Sequence, residues 1–164
     1  MSGSSTWERF LEARRNAPPE MVEVTFQLTP ERLPVRTESM WAQQVGSDLF
    51  VLRNSPFHVD GVSFLDTVRA ELRGPEWCFV EVCARSGHST FRVFLAGRSL
   101  REPRERVYEP LKRLGCIIER ADDRWAAIDV PPSTDIQAVV MALRRGEREG
   151  RWEYEDAHFG HPMA

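Results

Sequence analysis

From Met21 the chain alternates. Val22, Val24, Phe26 and Leu28 are apolar, and Glu23, Thr25 and Gln27 between them are polar. A period of two is the pattern of a strand with one face buried. The spacing predicts two more strands over 38–45 and 48–54, joined by Gly46-Ser47 as a hairpin turn. A further pair is predicted over 66–72 and 77–84, separated by Arg73-Gly74-Pro75. Short strands at this spacing predict a small antiparallel β-barrel or rolled sheet. The stretch between them, NSPFHVDGVSF, is dense in turn formers, and its Phe57 and Phe64 are expected to plug the barrel.

Beyond residue 85 helical periods appear among the strands. A strand over 91–96 precedes a helical stretch over 103–114, with Val107, Leu111 and Leu114 on one face and Gly115 as its stop. Pro110 within it predicts either a kink or a true start near Glu109. Strands over 116–120 and 125–130 flank a turn at Asp122-Asp123. Thr134 and Gln137 then form a capping box for a helix with Ile136, Val139, Val140 and Leu143 at i, i+3, i+4 and i+7. Residues 152–156 read as the last strand. The order β-α-β-β-α-β is that of a ferredoxin-like half. The expected architecture is α+β, with a barrel-like subdomain over 20–85 and a ferredoxin-like subdomain over 86–164 packed against it. Ahead of them, residues 1–19 form a tail or a short amphipathic helix, capped at Ser5-Thr6-Trp7-Glu8 and presenting Trp7, Phe10 and Leu11 on one face.

Composition narrows the classes. A hydrophobic fraction of 41% in 164 residues supports a core, and no apolar run approaches the roughly 18–20 residues that span a bilayer. The first residues contain no apolar stretch of the kind found in secretory signals, so the expectation is a cytoplasmic protein without a membrane partner. Cys78, Cys83 and Cys116 are odd in number and lack C-x-x-C spacing, which argues against disulfides and a thiolate zinc site; they are expected on buried strand faces. A net charge of -3 and a pI near 5.9 argue against a nucleic-acid partner. RNA binding nevertheless stands as an alternative, because residues 98–113 are locally basic and Phe94, Trp125, Trp152 and Tyr154 fall on the expected sheet. Against it, Glu153, Glu155 and Asp156 would repel phosphates.

Candidate chemistry concentrates in the hexapeptide RSGHST, residues 85–90. Ser86 and Ser89 beside His88 suggest a nucleophile and its base, yet the G-x-S-x-G elbow is missing, and one glycine before a strand does not make a phosphate loop. The favoured reading is a turn, with Gly87 at positive φ and Ser86 or Ser89 bonding the backbone. The histidines carry a second idea. In a ferredoxin-like sheet the first and last strands are antiparallel neighbours, which would bring His88 beside His158 and His161. Three imidazoles with Asp156 or Asp60 nearby would suit a divalent transition metal or general acid–base hydrolysis; His58 is not required. The competing class, and the preferred one, is a non-catalytic protein-binding module without a cofactor, of the immunity or adaptor type. Its acidic stretch over 147–156 would then face a basic partner.

The strings NSPFHVDGVSFLD, RSGHSTFRV, AIDVPP and WEYEDAHFGHP resemble an uncharacterised bacterial family, a domain of unknown function frequent in actinomycetes. The resemblance runs from Glu38 to Pro162 and is most specific at SGHST. It implies a bacterial cytoplasmic origin, and it implies no activity, cofactor or site residues.

Overall fold

The computed structural model describes residues 21–32 and 34–162, so the helix or tail expected over 1–19 lies outside the described residues. The described chain is α+β, with two sheets and few helices. The first sheet is a meander of β1 (Met21–Gln27), β2 (Thr37–Gln44), β3 (Leu49–Leu52), β4 (Thr67–Arg73) and β5 (Glu76–Ala84). Consecutive strands are antiparallel, and β1 also pairs in parallel with β5 through Val24↔Trp77 and Thr25↔Cys78, closing a barrel. The expected antiparallel barrel is therefore corrected at one seam. In a meander with an odd number of strands, the first and last run the same way.

Inward residues at every second position fill the barrel: Val24, Phe26, Met40, Ala42, Phe50, Leu52, Val68 and Ala70. Phe26 stacks on Phe79 at 4.5 Å and Phe50 leans on Trp77 at 4.8 Å, so the interior already holds large rings. The plugs from the following loop are accordingly the smaller Val59 and Val62, not Phe57 and Phe64 as expected. Cys78 and Cys116 are buried, whereas Cys83 is exposed on the second half of β5, where the inward alternation lapses.

The second sheet contains β6 (Ser89–Leu95), β7 (Ile117–Arg120), β8 (Trp125–Val130) and β9 (Trp152–His158), in the order β7-β8-β6-β9 with every neighbouring pair antiparallel. Between β6 and β7 lie a 3-10 turn at Gly97–Arg101 and two short helices, α1 (Arg104–Val107) and α2 (Glu109–Arg113). Pro110 sits in the first turn of α2, where its missing N–H costs nothing, which splits the single helix expected over 103–114. Gly115 ends that stretch at φ 103°, a conformation that favours glycine. Between β8 and β9 runs α3 (Ile136–Arg148). Its cap is Asp135 rather than Thr134, because the Asp135 Oδ1 accepts from the N–H groups of Gln137 (3.0 Å) and Ala138 (3.2 Å).

One face of this sheet packs Phe91, Val93, Ile118 and Ile128 against Val107, Leu111, Val139 and Leu143 of the helices. The other face carries Thr90, Arg92, Phe94, Trp125 and Asp129 and meets the loop over 53–66 that leaves the barrel. Among the described residues no helix is long and apolar enough to cross a membrane.

Candidate functional site

Two buried carboxylates shape the loop over 53–66. Glu38, near the start of β2, accepts three consecutive backbone N–H groups, from Phe57 (2.6 Å), His58 (2.8 Å) and Val59 (2.8 Å). Asp66 is fully buried and accepts from Ser63 N, Ser86 N and the Arg85 guanidinium at 2.8–3.1 Å. The buried amides of a loop that runs between two layers require protein acceptors, so these carboxylates stabilise it. Ser55 N crosses the seam to Glu119 Oε2 on β7 at 2.7 Å.

The hexapeptide forms the other side of that seam. Arg85 Nη1 donates to the Gly61 carbonyl at 2.6 Å. Ser86 Oγ donates to the Phe64 carbonyl at 2.7 Å and accepts from His88 N at 3.2 Å, the ordinary work of a turn serine. Gly87 has φ 88°, a conformation that L side chains rarely adopt. His88 is buried, with Nδ1 2.7 Å from Asp129 Oδ1 and the edge of Phe64 against its ring. Among the described residues the second Asp129 oxygen has no hydrogen-bond donor. Thr90 Oγ1 meets Ser63 Oγ at 2.7 Å. Ser89 and Thr90 are strand residues of β6, so the turn is shorter than the hexapeptide.

Ser89 has no spare valence. Its oxygen accepts from Gly160 N (2.8 Å) and His161 N (3.2 Å) while its proton goes to His161 Nδ1 at 2.6 Å. One donor and two acceptor sites are all that a hydroxyl has. His161 Nε2 in turn donates to the Pro131 carbonyl at 2.9 Å, which fixes its tautomer. The topology does bring the C-terminal histidines to His88: Thr90 pairs with His158, and a Cβ at Gly160 would overlap the His88 carbonyl oxygen. Both ring nitrogens of His161 and Nδ1 of His88 are nevertheless taken. Among the described residues no three His, Cys, Asp or Glu side chains are grouped to hold a metal ion. His158 is half-buried; burial holds its pKa below the ordinary 6.5, the Arg85 charge adds to this, and Asp66 opposes it. Asp60 is engaged by Arg92, and Asp156 is exposed at the sheet edge. His58 lies 5.1 Å from the Trp125 ring, away from the other histidines' hydrogen bonds.

Arg92 escaped the sequence reading. It is fully buried in the centre of β6, and its Nη1 reaches Asp60 Oδ1 (2.7 Å) and Glu155 Oε1 (3.0 Å) while Nη2 donates to the Val59 carbonyl. A lone arginine inside the apolar run TFRVFL was the available signal, since a buried cation requires a partner. Beside it Phe94 stacks on Trp125, and Phe57 and His58 pack against the same indole. The aromatics considered for RNA do not share a face: Phe94 and Trp125 meet the chain's own loop, whereas Trp152 and Tyr154 pack on the helix side of the sheet.

A second region was missed altogether. A groove of about 940 Å³ runs between α3, β9 and Pro110, and its lining includes Arg144, Arg145, Arg148 and Arg151 against Glu147 and Glu149. Its floor is rigid, because Trp152 Nε1 donates to the Leu143 carbonyl at 3.0 Å and its ring lies where a Cβ on Gly146 would fall. Arg145 binds Glu149 at 2.9 Å and Arg151 lies 3.9 Å from Glu102. The hydrogen bond from Arg145 holds the Glu149 carboxyl below its usual range, with further help from the Arg145, Arg151 and Arg98 charges. The basic excess of the groove comes from Arg144 and Arg145, which precede the acidic stretch over 147–156.

A family model described as Domain of unknown function (DUF4265) matches residues 38–154. The chain belongs to that family. The match opens on Glu38 and takes in the loop, the hexapeptide and Asp129, and it ends before His158 and His161. In three dimensions the chain is similar to a hypothetical protein from Neisseria gonorrhoeae, known from a crystal structure, with a TM-score of 0.73 and 16% sequence identity over 84% of this chain and 94% of that one. The likeness is one of fold. No curated protein matches the chain.

Proposed function

We propose that the chain is a non-catalytic protein-binding or regulatory module of the immunity or adaptor type, working in a bacterial cytoplasm. In this reading the barrel over 20–85 and a ferredoxin-like half over 86–164 form one scaffold. The observation that carries it is the engagement of the RSGHST hydroxyls: Ser86, Ser89 and Thr90 all bond within the seam, with Ser89 using its donor and both acceptor sites. A serine whose donor and both acceptors are used is a poor nucleophile. The strand order β7-β8-β6-β9 with its two crossovers supports the ferredoxin-like assignment. Free thiols, including the exposed Cys83, suit a reducing compartment.

The competing reading, general acid–base or metal-dependent hydrolysis, has one observation behind it. A carboxylate 2.7 Å from His88 Nδ1 is how a catalytic imidazole is oriented. Elemental analysis of untagged protein, with a panel of ester, phosphoester and peptide substrates, separates the two. The module predicts no stoichiometric metal and no turnover. Turnover abolished by His88→Gln in a folded variant, or a bound metal lost on His88→Ala, would overturn it.

A further inference from the structure

The groove beside α3 allows the binding reading to be made specific. Met141, Arg144 and Arg148 stand at i, i+3 and i+7 of this helix and share one stripe. Met141 is 69% exposed, the most exposed large hydrophobic side chain among the described residues. Arg144 and Arg148 are also exposed, and among the described residues neither has an ion-pair partner. Neighbouring Arg145 and Arg151 do have carboxylates, so the helix leaves two cations one turn apart uncompensated. Like charges at i, i+4 repel, a modest cost that an anion between them would reverse.

We propose that this groove docks an acidic, amphipathic segment of a partner protein. Two carboxylates one turn apart on the segment engage Arg144 and Arg148, and an apolar side chain one turn beyond the carboxylate on Arg144 covers Met141. This rests on the binding-module reading above and gives that module its partner chemistry. Charge complementarity sets the sign, since Arg144, Arg145, Arg148 and Arg151 outnumber Glu147 and Glu149. The glutamates also argue for peptide over nucleic acid. A phosphate backbone presents evenly spaced charge and would run into both, whereas a peptide can place carboxylates only where arginines await them. Met141, Pro110 and Ala142 add apolar and flexible surface that a polyphosphate would not use.

The test is an NMR titration of the ¹⁵N-labelled full chain with a synthetic peptide of repeating Glu-Leu-Ala-Asp units. Parallel titrations use the same peptide with Gln and Asn in place of its acids, single-stranded oligothymidylate and phosphatidylserine vesicles. Amide shifts are expected over 141–151 with the acidic peptide, weakening by about tenfold in affinity in Arg144→Gln/Arg148→Gln. They are also expected to weaken as salt is raised. Met141→Gln, which keeps both charges, is expected to weaken the acidic peptide by a smaller factor. Absence of shifts, equal binding of the neutral peptide, or preference for the oligonucleotide or the vesicles would each overturn the proposal. Shifts confined to another face would overturn the groove and spare the module. Turnover that depends on His88 would overturn the module and leave the groove's binding intact.

Discussion

The seam around RSGHST and the groove on α3 hold similar residue types in opposite states. At the seam Asp66 and Arg92 are fully buried and Glu38 nearly so. The two carboxylates are met by amides and a guanidinium, and Arg92 by Asp60 and Glu155, at 2.6–3.1 Å. Among the described residues, Nε alone of the Arg92 guanidinium nitrogens is left without a partner. In the groove Arg144 and Arg148 are exposed and, among the described residues, without an ion-pair partner. Residue type therefore says little about reactivity until valences are counted. A serine and a histidine can sit together as structure, as Ser89 and His161 do, because each satisfies the other's burial cost. Binding capacity remains where charge is left over.

The largest test of that contrast is Glu38→Ala, which removes the acceptor for three consecutive N–H groups. It should cost about 3 kcal/mol in urea unfolding. Gly160→Ala places a methyl on the His88 carbonyl and should cost about 2 kcal/mol in the same assay, although it touches no charge. A loss under about 0.5 kcal/mol for either would mean that the seam is loosely built. At the other pole Arg144→Gln/Arg148→Gln should stay within about 0.5 kcal/mol of wild type. A large loss there would make those arginines structural.

A smaller effect concerns pH. The folded-state pKa of His158 lies below its ordinary 6.5, so the unfolded chain takes up that proton first. Its contribution is complete above about pH 6.5 and declines as pH falls from there towards the folded-state value. Thermal unfolding from pH 7.5 to 5 should therefore fall less steeply in His158→Gln than in wild type. Parallel slopes would place His158 in ordinary solvent.

Much of this was legible along the chain, because strands and helices declare themselves by period. Trp125–Val130 matches its prediction to the residue, and Pro110 announced the break between α1 and α2. Gly87 and Ser86 behave as a turn predicts. What stayed hidden depends on partners distant in sequence. Glu38 looks like one more polar strand residue until the loop at 57–59 wraps around it. Asp129 sits in an apolar strand, and only tertiary pairing across 41 residues gives it to His88. Phe57 and Phe64 read as core by composition, but the barrel's own rings had already filled its interior. The groove requires α3 to pack on Trp152, and the sequence alone, with Glu147 three residues after Arg144, does not show which arginines lack a partner.

The central claim is that the hydroxyl and imidazole groups of the hexapeptide hold the chain together rather than act on a substrate. Native-state hydrogen exchange on Ser89→Ala tests it most directly, since Ser89 Oγ receives the amides of Gly160 and His161. The account predicts that these two amides lose protection by about tenfold or more, with a global loss of about 1–2 kcal/mol. Unchanged protection and stability, together with loss of a measurable activity, would contradict it.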